Sequence, residues 1–242
     1  MKSLVSSLLL GLQCLLPSAL CAARAITGDA LADLPLVEVV ADGPGPDLLV
    51  VLISGDGGWA SIDRELAATL SAAGLPVMGL DARKYFSQPK TVEQSGRTLG
   101  RIIARGLAST GKQSVLLVGF SRGADVLPFM INRLPEDLRA RVAQLVLIAP
   151  SAETSLEVHL WDALGASPSG PLLEVLPELR SLSGMPILCL YGSEDPDCIG
   201  SSLPDGLATV ISIAGGHHLD GDYARLGQLI LEHLPQAGTS RP

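Results

Sequence analysis

Several stretches of this chain are apolar without interruption, among them Leu48 to Ile53, Val115 to Val118 and Ile187 to Tyr191. Runs with no polar alternation predict strands buried on both faces, as the strands of parallel sheets are. Further apolar runs at Leu36 to Ala41, Leu75 to Asp81, Val142 to Ala149 and Leu207 to Ala214 extend the strand series. Helical patterns lie between them. Ser61 is placed to cap a helix to about Ala73, with Asp63 and Glu65 in its first turn and Gly74 at its end. Thr91-x-x-Gln94 fits a capping box, and Val92, Leu99, Ile102, Ile103 and Leu107 share one helical face up to about Ser109. A closing helix is expected from Tyr223 to Leu234. Alternating strands and helices predict an α/β fold, its mostly parallel sheet covered by helices on both faces.

Two segments fall outside this rhythm. Residues 151–184 carry Pro168, Pro171 and Pro177 among scattered Ser and Gly, and read as a short lid insertion over the site. The first 25 residues have Lys2, an apolar run from Leu4 to Leu16, the breaker Pro17 and small residues up to Ala23-Arg24-Ala25. That layout predicts a secretory signal peptide at 1–25 and a single mature domain at 26–242. The apolar run is too short to span a membrane, which takes roughly 20 residues.

The 242 residues are 47% hydrophobic and 17% charged, with a formal net charge of −8. Removing Lys2 and Arg24 with the signal takes that to −10. Such a balance excludes the basic footprint of a nucleic-acid binder and opposes tight electrostatic docking on an anionic membrane. Cys14 and Cys21 leave with the signal, so Cys189 and Cys198 are expected to pair as a disulfide in an oxidising compartment.

Chemistry enters at the Val115 run, which leads into Gly119-Phe120-Ser121-Arg122-Gly123 and then helix-compatible Ala124-Asp125-Val126-Leu127. Strand, Gly-x-Ser-x-Gly, helix is the nucleophile elbow of the α/β-hydrolase fold. Pro128 should kink or shorten that helix. Serine is a poor nucleophile near neutral pH, so a histidine must take its proton and a carboxylate must orient the histidine. The chain order Ser, acid, His is met by Glu194-Asp195-Pro196-Asp197 after one late strand and Gly215-Gly216-His217-His218 after the next. Asp195 is the expected acid, with Glu194 and Asp197 as rivals; His217 is the expected base, with His218 in reserve. Backbone N–H groups of Arg122 and of Asp56 or Gly57, in the Ser54–Trp59 loop, are expected to form the oxyanion hole. The few aromatics gather beside the loops at the carboxyl ends of the strands, among them Trp59, Tyr85 and Phe86, which are therefore expected to bind apolar substrate parts. No metal or cofactor is called for.

Four stretches carry a resemblance: Ser54-Gly55-Asp56-Gly57-Gly58-Trp59, Tyr85-Phe86, the elbow continued through Gly123-Ala124-Asp125-Val126-Leu127-Pro128, and Gly216-His217-His218 with Gly221-Asp222-Tyr223. Together they resemble the bacterial VirJ/AcvB virulence-protein family over nearly the whole mature chain. The resemblance implies an exported periplasmic α/β-hydrolase with Ser121 as nucleophile and transient contact with a membrane surface. Some members remove lysine or alanine from aminoacyl-phosphatidylglycerol; others are linked to virulence and type IV secretion, which implies secretion-system partners. Arg122 stands where the family pattern would have Phe, and is expected to face the site mouth and influence headgroup choice. An aminoacylated phospholipid is therefore the leading substrate. A general periplasmic carboxylesterase or thioesterase on soluble esters, or a non-catalytic secretion partner, are the alternatives.

Overall fold

The computed structural model describes residues 31–156 and 171–235. The expected signal peptide and the middle of the expected lid insertion lie outside the described residues. Nine strands are described: β1 Leu36–Val39, β2 Leu48–Ile53, β3 Val77–Leu80, β4 Ser114–Phe120, β5 Val142–Ile148, β6 Glu153–Thr154, β7 Leu173–Glu174, β8 Ile187–Gly192 and β9 Thr209–Ile213. The helices are α1 Ser61–Ala72, α2 Ala82–Tyr85, α3 Val92–Thr110, α4 Arg122–Asn132, α5 Glu136–Arg139, α6 Val175–Arg180 and α7 Tyr223–Glu232. Seven strands form one sheet in the order β1-β3-β2-β4-β5-β8-β9, parallel except for β1 at the edge. The two-residue strands β6 and β7 pair antiparallel within the expected lid insertion, too short to leave an apolar–polar alternation.

The uninterrupted apolar runs follow from helices on both faces. Leu49, Val51 and Ile53 of β2, with Val115 and Leu117 of β4, join the core under α3 and α4. Their alternates Leu48, Val50, Leu52, Leu116, Val118 and Phe120 join the core under α1 and α7. Polar residues at either set would be buried, so neither set alternates. Helix α3 starts on the expected capping box, Gln94 N donating to Thr91 Oγ1 at 3.1 Å and Thr91 N to Gln94 Oε1 at 2.8 Å. In α1 the cap is Ala60, whose N–H donates to Asp63 Oδ2 at 2.9 Å; Ser61 is already helical. Helix α4 runs on past Pro128 to Asn132, so the proline does not end it. Among the described residues no helix is long and apolar enough to cross a membrane.

Cys189 and Cys198 are free thiols, which corrects the expected disulfide. Cys189 is fully buried on β8, while Cys198 Sγ accepts the Gly200 N–H at 3.3 Å and its backbone bridges to Ser151. Burial pushes the Cys189 thiol up to about 12 and the Cys198 thiol up to about 11.

Candidate active site

The centre of the sheet delivers Ser121 at the tip of a sharp turn between β4 and α4. Its backbone is at φ 52°, ψ −121°, a left-handed conformation that a non-glycine residue rarely adopts. Two bonds fix the turn: Ser121 N donates to Ile148 O at 2.8 Å, and Asp125 N donates to Ser121 O at 3.0 Å. The flanking glycines are required by close approach. A Cβ on Gly123 would stand 2.0 Å from Ile53 O, and one on Gly119 would stand 2.4 Å from Gly123 O. Any side chain there would push α4 away from the ends of β2 and β4.

The acid and base loops are joined in the same way. Ser193 N donates to Ile213 O at 2.7 Å and Glu194 N to Gly215 O at 2.9 Å, so the turn after β8 is laced to the chain leaving β9. This brings His217 between Ser121 and Asp195. Its Nε2 lies 2.9 Å from Ser121 Oγ, and its Nδ1 lies 2.7 Å from Asp195 Oδ2. The Asp195 side chain is 2% exposed and that of His217 is 35% exposed, so the acid is sheltered and the base meets the site mouth. Asp195 Oδ1 also accepts the Asp197 N–H at 3.2 Å. Glu194 and Asp197 are exposed on the same loop. His218 packs instead against the rings of Phe120 and His217, at 5.8 and 5.7 Å between centroids.

Arg122 departs from its expected place at the mouth, and this is a correction. The side chain is buried, its guanidinium clasped by both carboxylate oxygens of Asp56, with Nη2 donating to Oδ2 at 3.1 Å. Nη1 donates to Ser155 O at 2.6 Å, in the first residues of the expected lid insertion. A buried guanidinium needs such partners, and the Asp56 loop and Ser155 supply them. The ion pair therefore ties together two of the segments expected to supply oxyanion donors. The N–H of Arg122 opens α4, where first-turn N–H groups have no intrahelical acceptor. Asp56 and Gly57 form the exposed tip of the opposing loop, closed by Gly58 N donating to Gly55 O at 3.0 Å. No spacing or motif marks Arg122 and Asp56 as a pair.

The expected aromatic contacts with substrate are also corrected. Phe86 is fully buried, and Tyr85 is buried with its hydroxyl donating to Thr98 Oγ1 at 2.8 Å. Both turn inward because α2 is a single turn that lays them on the core under α3. Trp59 lies across Gly79 of β3, where a Cβ would stand 2.2 Å from its ring, so it packs on the sheet rather than over Ser121. Among the described aromatics Phe120 borders the site, 5.6 Å from the His217 ring. Among the described residues no group of three or more His, Cys, Asp or Glu side chains is arranged to hold a metal ion.

One carboxylate beneath the site was not singled out by the sequence. Asp125, one helical turn after Ser121, is buried and accepts the Ser151 N–H at 2.7 Å. Burial pushes its carboxyl up to about 7, against the lowering effects of the Ser151 N–H and Arg122. Asp63 is raised to about 6, again chiefly by burial. Both native values lie above the ordinary carboxylate value, so between about pH 4 and pH 7 the native state holds protons that the unfolded chain has lost. The stability this contributes is complete below about pH 4 and is lost as pH rises through these native values. Asp125→Asn keeps an acceptor for Ser151 and should flatten the fall in melting temperature between pH 5 and pH 8. An unchanged slope in that variant would contradict the assignment.

The geometry can be set against known proteins. Residues 47–238 match the family described as bacterial virulence protein (VirJ). No curated protein matches the chain. Among solved structures, an α/β serine hydrolase homologue from Coxiella burnetii is 15% identical, with a TM-score of 0.59 over 83% of this chain and 91% of that one. The thioesterase domain from the curacin biosynthetic pathway is 18% identical, with a TM-score of 0.54 over 81% and 94%. An esterase domain from a Rhodothermus marinus protein is 13% identical, with a TM-score of 0.56 over 81% and 90%. At such identities the likeness is one of fold, and the fold is that of the α/β hydrolases.

Proposed function

The chain belongs to the VirJ family of bacterial virulence proteins, and on that footing we propose that it is a periplasmic serine hydrolase cleaving the aminoacyl ester of aminoacyl-phosphatidylglycerol. The observation that carries the hydrolase reading is the hydrogen-bonded row Ser121–His217–Asp195. With the His217 proton on Nδ1, held by Asp195, Nε2 accepts the serine proton as Oγ attacks the ester carbonyl. The carbonyl oxygen becomes an oxyanion, for which the N–H of Arg122 and one from Asp56 or Gly57 are the donors. His217 returns the proton to the departing glyceryl oxygen, releasing phosphatidylglycerol and leaving the aminoacyl group on Ser121. Water, activated by the same imidazole, then releases the amino acid.

The substrate class rests on the family resemblance and on charge. The chain has a formal charge of −8, and an aminoacylated headgroup carries an added ammonium that its product lacks. Asp56 is committed to Arg122 and Asp222 caps α7 through the Arg225 N–H, so Asp220, with Glu194 and Asp197, is the carboxylate set for that ammonium. The purified mature chain should release free amino acid from lysyl- or alanyl-phosphatidylglycerol vesicles, more slowly as salt screens charges over ~10 Å at 0.1 M. Equal turnover of N-acetylated and free-amine headgroups would remove the electrostatic part. No amino acid from either lipid, beside brisk cleavage of short soluble esters, would favour the carboxylesterase reading.

A further inference from the structure

Beside the site, and separate from it, a groove of about 490 Å³ runs along α3 toward the carboxyl end of β3. Lys84, Lys90, Arg97 and Arg101 line it, with Asp33 as the one carboxylate and the buried Tyr85 beneath. With Asp81 beside Lys84 and Glu93 beside Arg97 counted, the patch still carries a net positive charge of one in a chain whose formal charge is −8. Asp33 binds the Arg101 guanidinium through both oxygens, at 2.5 and 2.9 Å, and Asp81 holds Lys84 at 3.2 Å. Lys90 sits over the Tyr85 ring, 5.4 Å from its centroid, and Arg97 is exposed on the same side of α3. Among the described residues the Arg97 side chain has no hydrogen-bond partner; its charge interacts with Glu93 one turn earlier. The groove also adjoins the site: Lys90 N donates to Leu156 O at 3.2 Å, and the neighbouring Ser155 accepts from Arg122.

We propose that this groove binds the phosphodiester of an anionic phospholipid at the bilayer surface, next to the ester presented to Ser121. Phosphate oxygens match ammonium and guanidinium donors, and cations on an exposed flank meet a headgroup without its leaving the bilayer. The overall negative charge does not forbid this, because charges beyond ~10 Å are largely screened at 0.1 M salt. The inference rests on the proposed lipid function for the source of the phosphate, whereas the binding is independent of turnover.

The test uses the mature chain carrying Ser121→Ala, so that vesicles are bound but not consumed. It should sediment with phosphatidylglycerol vesicles and not with phosphatidylcholine vesicles. Lys90→Gln with Arg97→Gln should weaken that partition by more than tenfold, at roughly fivefold per lost cation. Arg225→Gln, the loss of one positive charge at an exposed pair with Glu232, should leave it unchanged. Unchanged melting temperatures would exclude misfolding. Equal retention of the parent and the double variant, or equal retention on the two lipids, would overturn the proposal. Displacement by inorganic phosphate at matched phosphate concentration would overturn the lipid assignment in favour of a free anion. Vesicle binding alongside no aminoacyl release by the wild type would sink the aminoacyl-lipid substrate and leave the groove standing.

Discussion

Replacing Ser121 by Ala should lower kcat for ester hydrolysis by about 10⁴-fold or more, the usual consequence of losing a triad nucleophile. Stability should hardly change. The Ser121 hydroxyl has His217 Nε2 as its partner, and the strained φ of 52° is set by the backbone bonds to Ile148 and Asp125, which alanine retains. Turnover in Ser121→Ala above about a hundredth of wild type would be incompatible with a serine nucleophile.

The second large effect separates two adjacent histidines. His217→Ala should fall as far as Ser121→Ala, because without the imidazole nothing within reach of Oγ accepts its proton. His218→Ala removes ring contacts with Phe120 and His217 but no bond to the nucleophile, so a loss within about tenfold is expected. The reverse ranking would mean that the base is His218.

Much of this molecule can be read from the chain because its signals are local. Buried parallel strands must be apolar on both faces, and a strand–turn–helix with glycines at Gly119 and Gly123 has few other uses. The chain order of the Asp195 and His217 loops follows from the order of the strands. What the sequence does not carry is direction. The positions of Tyr85 and Phe86 mark the active end of the sheet, yet a single turn of α2 rotates both rings into the core. Cys189 and Cys198 are near in sequence, but pairing depends on side-chain vectors, and Cys198 is held by its own loop. Arg122 reads as a mouth residue until the Asp56 loop, 66 residues earlier, folds over the elbow to meet its guanidinium. The lipid groove has the same origin: its cations come from α2, the turn after it and one side of α3, and only folding assembles them.

The most direct measurement of the central claim is covalent capture on the enzyme. Wild-type protein mixed with excess lysyl- or alanyl-phosphatidylglycerol, quenched in acid during turnover and digested, should show an aminoacyl mass increment on the peptide containing Ser121. The increment should be absent from Ser121→Ala treated identically. Amino acid release with no adduct at any time point, or an adduct on another residue that persists in Ser121→Ala, would contradict a Ser121 acyl-enzyme.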